Sequence, residues 1–267
     1  MLRDMNTTVF EHNRAAWDRE SKLDSEWSRP VDSVAVDKAR GGQWEILLTP
    51  QTPVPRAWFG DIAGKQVLCL ASGGGQQAPI LAAAGARVVS LDASDAQLAK
   101  DLEVATRHGL DLRCEQGDMA DLSRFGDEAF DLIFHPCSNC FVPDVRPVWS
   151  ECFRVLKPGG TLLAGFLNPS FYLFDHDLSD GAQGLQVRYR LPFSDLDYPD
   201  DPAVQARLQR GEALEFGHTL DSLLGGQMRA GLMLVDMFED WWSDEATPLN
   251  RHSPTSIATR AIKPPVG

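Results

Sequence analysis

Three consecutive glycines, Gly73, Gly74 and Gly75, follow a short apolar run, QVLCL (66–70). About twenty residues later a single carboxylate, Asp92, closes a second apolar run, RVVSLD (87–92). Glycine lets a chain turn sharply and lets a ligand approach the main chain. A helix that starts just after such a loop aims free N–H groups at that ligand. A carboxylate at the end of the next strand accepts both hydroxyl hydrogens of a ribose. Taken singly, the glycines read as a turn and Asp92 as a helix cap. Strand, loop, helix, strand and acid in that order read as a site for an adenosine-containing cofactor. Gly73-x-Gly75-x-x-Ala78 also fits the dinucleotide fingerprint, so NAD(P), and with it an oxidoreductase, is the competing assignment.

A second group of reactive side chains lies further on: His135, Cys137 and Cys140. The C-x-x-C spacing suggests zinc or redox chemistry. A structural zinc site wants four ligands, usually as two separated pairs, and no second pair is visible. The expectation is therefore no metal and no redox dithiol, with this loop, Cys137 and Asn139 included, lining a substrate pocket.

The elements that must position these residues are readable from apolar periodicity and turn residues. QVLCL is a buried strand; QQAPILAAAGA (76–86) a helix with Pro79 in its first turn; RVVSLD a second strand. SDAQLAKDLEVATRHG is a helix capped by Ser94 and stopped at Gly109. LRCEQGDM, FDLIFHP (130–136) and TLLAGFLN (161–168) supply three more strands, and VRPVWSECFRVLKPGG a helix closed by a Pro-Gly-Gly turn. After residue 217, LDSLLGGQMRAG predicts a helix, and LMLVDMFED and SIATRAIK two final strands. Strands alternating with helices give an α/β fold: a Rossmann-like, seven-strand, mostly parallel sheet with helices on both faces. Residues 1–57 form an N-terminal helical cap, with Val9, Trp17 and Leu23 broadly on one side; 58–168 the cofactor-binding half; 169–216 an insertion after strand five; and 217–267 the completion of the sheet.

Residues 60–168 resemble the class I S-adenosylmethionine-dependent methyltransferases, with a weaker continuation to 263. VLCLASGGGQQ resembles their first motif, which implies Ala71, Ser72, Gly73, Gly75 and Gln77 beneath the methionine part of the cofactor. VVSLDAS resembles the second, with Asp92 on the ribose and Ala93 beside it. GDMADL resembles the third, with Asp118 facing the adenine amino group and the Met119 backbone the ring. FDLIFHP resembles the fourth strand, whose end at His135 passes beside the sulfonium, and RVLKPGGTLLAGF the helix-turn-strand after it. The five motifs in order favour S-adenosylmethionine over NAD(P), with S-adenosylhomocysteine as product. The chain departs from many members at Cys69 and Ala71, which stand where an acid and a glycine are usual; a bacterial branch of uncharacterised members is similar in carrying C-L-A-x-G-G-G-Q-Q. A cysteine offers no counter-charge at neutral pH unless its pKa is low, so loop carbonyls are expected to hold the cofactor's ammonium group. The same departure makes a non-catalytic adenosylmethionine-binding module the alternative outside enzymology.

Methyl transfer is an in-line displacement in which positioning dominates and a base is needed only where the nucleophile carries a proton. His135, His176 and His218 are the candidate bases, with His135 chosen for its place at a strand end, although the main expectation for it is a packed histidine that gives only its backbone to the cofactor. No N/D-P-P-Y/F tetrapeptide follows strand four, where HPCS stands, so the amino-methylating nucleic-acid enzymes find no support. Trp17, Trp27, Trp44 and Trp58 crowd the first sixty residues; core packing is the main expectation, with an aromatic lid over the sulfonium as the other. Trp241 and Trp242 are expected in the core or an interface. The insertion's aromatics, Tyr172 among them, are expected to wall the acceptor pocket, with a dimerisation arm as the alternative. Trp17, Cys137, Asn139 and Tyr172 are thus the expected pocket residues.

A net charge of −13 argues against nucleic acid and against an anionic membrane surface as partners; a small-molecule acceptor is what the resemblance implies. An odd cysteine count of 5, no visible secretory signal and no apolar run of membrane length lead to the expectation of a cytoplasmic monomer or homodimer.

Overall fold

The structure, a computed structural model, describes residues 2–23, 25–175, 184–243 and 245–265, with side chains from residue 8 onward. His176, one of the candidate bases, lies outside the described residues. The apolar runs become β1 (Gln66–Leu70), β2 (Arg87–Asp92), β3 (Leu112–Gln116), β4 (Phe130–His135) and β5 (Leu156–Leu167). These five are parallel. β9 (Ser256–Ile262) runs antiparallel between β5 and β8 (Met233–Asp240), giving the order β3-β2-β1-β4-β5-β9-β8. The order reverses between β1 and β4, so the loops leaving these two strands part and open a crevice at their carboxyl ends.

Alternation along β1 distributes the core to both faces. Val67 and Cys69 pack with α2 (Ser33–Arg40), α3 (Gln77–Ala83) and Val104 of α4 (Asp95–His108). Leu68 and Leu70 pack against Trp149 and Cys152 of α5 (Arg146–Val155). The caps of α4 form as the sequence predicts: Ser94 Oγ accepts the Gln97 N–H at 3.1 Å, and Gly109 ends the helix at φ 62°.

Three elements differ from expectation. β5 begins at Leu156, because Leu156 already pairs with Phe130 across an irregular register, so Lys157-Pro-Gly-Gly lies inside the strand. The helix predicted after 219 forms, but its first part, Asp221–Gly225, is a wider π-helix that continues into the short α7 (Gly226–Arg229). Gly226 is held against Trp149, where an added Cβ would meet the indole at 2.7 Å. Leu23 lies beyond α1 (Leu2–Glu20) and is 72% exposed.

The insertion contains a two-residue pairing of β6 (Phe193–Ser194) with β7 (Phe216–Gly217) and the helix α6 (Pro202–Arg210). Its aromatic side chains pack on one another: Tyr172 stacks on Phe193 at 5.3 Å, and Tyr189 meets Tyr198 at 4.9 Å. Arg188 bridges Asp175 and Asp201 at 2.7 and 2.6 Å, and Arg207 pairs with the buried Asp195. The insertion's aromatics thus form a small cluster that Cys140, Phe141 and Leu167 of the main domain complete.

Candidate cofactor and acceptor site

A cavity of about 1600 Å³ opens over the carboxyl ends of β1, β2 and β4. Ala71, Ser72, Gly73, Gln77, Asp92 and Ala93 line one part of it, with Asp118 and Met119 at the adjoining wall. Trp17, Phe10, Cys137, Phe141, Leu167 and Trp242 line another.

The glycine loop is built from its main chain. Ala71, a residue with a Cβ, sits at φ 49°, in the region that disfavours side chains and that recurs at functional sites. Its N–H donates to Leu91 O at 2.7 Å, tying the end of β1 to β2. The three glycine amides all donate to acceptors of the protein itself. Gly73 N–H donates to Asp92 Oδ2 at 3.0 Å, Gly74 N–H to Gln97 O at 3.1 Å and Gly75 N–H to Asp101 Oδ1 at 2.7 Å. The glycines thus serve the turn itself, as their type predicts. Gly75 (φ 80°) does not reach the cavity wall, because Pro30 packs on it and an added Cβ would stand 2.8 Å from the proline ring.

Two polar atoms at this wall are buried and have no partner among the described residues: Ser72 Oγ and Gln97 Oε1. Such atoms cost free energy unless a ligand or water meets them. With two carboxylates alongside, the donor and acceptor set fits a polyhydroxylated, cationic cofactor. Burial raises the pKa of Asp92 from its ordinary value, an effect opposed by the N–H groups of Ser94, Gly73 and Ala93. Asp118 is raised by burial too, and its Oδ1 accepts the Ala120 N–H at 2.8 Å.

The N-terminal cap reaches the cavity through HNRAAWD (12–18). Asp18 Oδ1 accepts the Ser94 hydroxyl at 2.6 Å and the Ala96 N–H at 3.2 Å at the start of α4. Asn13 is buried and makes three bonds: its amide donates to Phe141 O at 3.0 Å and Leu214 O at 3.1 Å, and its Oδ1 accepts the Leu214 N–H at 2.7 Å. Trp17, between these anchors, meets Phe141 edge-on at 5.2 Å. The four early tryptophans divide. Trp44 and Trp58 are core, Trp58 donating to Asp236 at 2.9 Å, whereas Trp17 and Trp27 line the cavity. Trp242, expected in the core or an interface, lines it as well and meets Trp27 at 5.9 Å.

Other expected site residues stand elsewhere. The His135 ring is fully buried beneath the cavity, its Nδ1–H donating to Leu70 O at 2.9 Å and its face meeting Trp149. Burial lowers it to about 4, so it is neutral, and its Nε2 finds no partner among the described residues. Asn139 is buried and donates to Gly165 O at 3.2 Å. His218 donates to Asn139 O at 3.0 Å. Tyr172 stacks within the insertion's core and donates its hydroxyl to Glu215 Oε2 at 3.0 Å. Gly165 is a close-approach glycine: an added Cβ would stand 2.1 Å from Leu48 O, and that carbonyl also accepts the Cys137 N–H at 3.2 Å. Cys137 and Cys140 both reach the cavity, unbridged; burial pushes Cys137 up to about 12 and Cys140 well above its ordinary value, so both are neutral thiols. Among the described residues no cluster of His, Cys, Asp and Glu is placed to hold a metal ion, and no helix is long and apolar enough to cross a membrane.

Sequence reasoning passed over Glu215. It lines the cavity with 29% of its side chain exposed, held by the Tyr172 hydroxyl and with Arg207 at 4.0 Å; burial raises its pKa. Its local signal, an acid just before Phe216 in a polar stretch, has no periodic or motif context.

The methyltransferase-domain family matches residues 68–164. An uncharacterised methyltransferase of Bacillus subtilis, YbaJ, is 44% identical over 260 residues, covering 97% of this chain and 100% of that protein. The ubiquinone biosynthesis O-methyltransferase of Pseudomonas fluorescens is 33% identical over 118 residues, which is 43% of this chain and 50% of that one. Among solved structures, an S-adenosylmethionine-dependent methyltransferase from Mesorhizobium loti superposes with a TM-score of 0.60 at 20% identity, covering 78% of this chain and 94% of that one, which speaks for the fold alone. A relative matched along its whole length, together with a family match over the strands that build the glycine loop, settles the choice of cofactor left open by the sequence motif: the chain belongs to the class I S-adenosylmethionine-dependent methyltransferases.

Proposed function

We propose that the chain methylates a small, largely apolar molecule enclosed between α1, the loop after β4 and residues 210–215. The observation that carries this reading is the continuity of one cavity from the glycine loop to an aromatic wall of Trp17, Phe141 and Trp242. At about 1600 Å³ it exceeds the roughly 300–1,000 Å³ of a pocket for one small ligand, so cofactor and acceptor have room side by side. The net charge of −13 disfavours a polyanionic acceptor.

In this reading Asp92 takes the ribose hydroxyls, Asp118 and the Met119 backbone the adenine, and Ala71, Ser72 and Gly73 the methionine end. Bound S-adenosylmethionine supplies the electrophilic methyl group. The chain's own task is to exclude water and to align the acceptor, and the aromatic wall suits both. Where the acceptor carries a proton, Glu215 is the group to take it: it lines the acceptor part of the cavity, and burial brings its pKa up toward the working range of a base. His135 is set aside for this role because its ring is sealed under the cavity floor.

Labelling with S-adenosylmethionine carrying an isotopic methyl group, in an extract stripped of the endogenous enzyme, tests the reading. Label should appear in the low-molecular-weight organic-soluble fraction. Label confined to RNA or protein would overturn the acceptor class.

A further inference from the structure

Register places Cys69 of β1, Ser90 of β2 and Cys114 of β3 in one row across the sheet. Their side chains are small, and the recess above them receives Asp101 from α4, with no exposed surface. Asp101 Oδ2 accepts the Ser90 hydroxyl at 2.6 Å, and its Oδ1 accepts the Gly75 N–H at 2.7 Å. One turn earlier in α4, Gln97 O accepts the Gly74 N–H at 3.1 Å. Two successive amides of the glycine loop are therefore held by the same helix.

A buried carboxylate is unfavourable unless its hydrogen bonds repay desolvation. The titratable groups facing Asp101 are Cys69 on β1, Cys114 on β3 and Asp92 at the end of β2, all acids. The hydrogen bonds to Asp101 come from the glycine loop and from the serine that seats it. Packing alone would be served better by an apolar side chain of similar size.

We propose that Asp101 is the positioning residue of the cofactor loop: a carboxylate carried on α4 in place of an acid on the first strand, where Cys69 leaves the room for it. The inference rests on the cofactor reading of the loop. Asp101 does not line the cavity, so it acts through Gly75 and not on the cofactor itself.

Calorimetry with S-adenosylhomocysteine at pH 8 tests this on the full chain. The wild type should bind. Asp101→Ala should bind at least tenfold more weakly, and Asp101→Asn, which keeps an acceptor for Gly75 N–H without the charge, should fall between the two. Cys69→Asp should weaken the wild type, by bringing a second acid into the recess. The same substitution combined with Asp101→Ala should recover most of the lost affinity, because it returns a carboxylate to the row. Should Asp101→Ala not fold, Asp101→Asn with and without Cys69→Asp makes the same comparison. Unchanged affinity in the folded Asp101 variants, or no recovery on adding Cys69→Asp, overturns the proposal. A wild type that fails to bind S-adenosylhomocysteine would instead overturn the cofactor reading.

Discussion

Asp92 Oδ2 accepts the Gly73 N–H at 3.0 Å, so the carboxylate that closes β2 is bonded to the loop that closes β1. Its other oxygen accepts the Ser94 N–H at 2.9 Å at the start of α4. One side chain thus joins three elements and still lines the cavity. Asp92→Ala removes the loop's bond together with the acceptor for the ribose. A hydrogen bond to a charged group is worth roughly 1.5–3 kcal/mol, so affinity for S-adenosylhomocysteine should fall at least tenfold by calorimetry. The melting temperature should fall with it, since Gly73 N–H loses its partner. A folded variant with unchanged affinity would reduce Asp92 to a helix cap.

Glu215→Gln keeps the shape of the residue and removes the base. Turnover with an acceptor identified by methyl labelling should drop by about tenfold to a hundredfold or more, in the range of general-base contributions. S-adenosylhomocysteine affinity should not change, because Glu215 is set on the acceptor side. In the wild type the acid limb of the rate profile should lie above the ordinary glutamate pKa, as burial raises Glu215. That limb should vanish in the variant. Loss of cofactor affinity in its place would mean that Glu215 supports the fold of the site and takes no proton.

His135 offers a test of sign. Its pKa is lowered to about 4 in the folded protein, against an ordinary 6.5, because burial disfavours the imidazolium. Between those values the unfolded chain binds a proton that the folded chain refuses. Stability from this group is therefore complete above pH 6.5 and is lost as pH falls toward 4, by roughly 3 kcal/mol in all. Denaturant titrations of wild type and His135→Gln should differ by a constant amount above pH 6.5, and the gap should narrow below it. The rate profile should show no inflection belonging to His135 near neutrality. A gap independent of pH would mean the ring is not held neutral.

The strands of the sheet and the caps of α4 were legible because each rests on local signals: apolar runs of five or six residues, a serine before a helix, a glycine after it. Features set by contacts between distant segments were not. Lys157-Pro-Gly-Gly has the composition of a turn, yet pairing with Phe130 draws it into β5. The partners of the glycine amides are not visible in the sequence; Gln97 and Asp101, on a helix whose docking no local pattern encodes, take two of them. Tryptophans look alike in a sequence, and the direction from which the cap meets the sheet sends Trp17 and Trp27 to the cavity and Trp44 and Trp58 to the core. His135 stands at the expected strand end, but the alternation of β4 turns its ring to Trp149. The insertion's aromatics were expected at the pocket because disordered segments are poor in them. They pack instead on one another and on the back of the cavity wall, where Cys140, Phe141 and Leu167 join their cluster and Trp242 meets Phe171.

That division bears on how the site opens. The insertion touches the cavity along a narrow seam, residues 210–215, and the seam is sewn to α1. Asn13 bonds Leu214 in both directions, His12 Nε2 pairs with Glu212 O at 3.1 Å, and Arg19 donates to Gly211 O. Val9 packs with Leu214 and Phe216 behind the seam. The stretch 188–207 carries its own stacked aromatics and ion pairs and lies outside the cavity wall. An acceptor entering beside the cofactor should therefore order α1 and the seam as one unit. Hydrogen exchange should show protection rising together in residues 9–20 and 210–215 on adding S-adenosylhomocysteine with acceptor, and rising less in 188–207 and in β1–β5. Asn13→Ala removes three buried bonds at about 1 kcal/mol each, and should uncouple the two segments so that they exchange at different rates. If protection in the insertion instead followed protein concentration and ignored ligand, the segment would be a dimerisation arm, and the seam would have no part in closing the site.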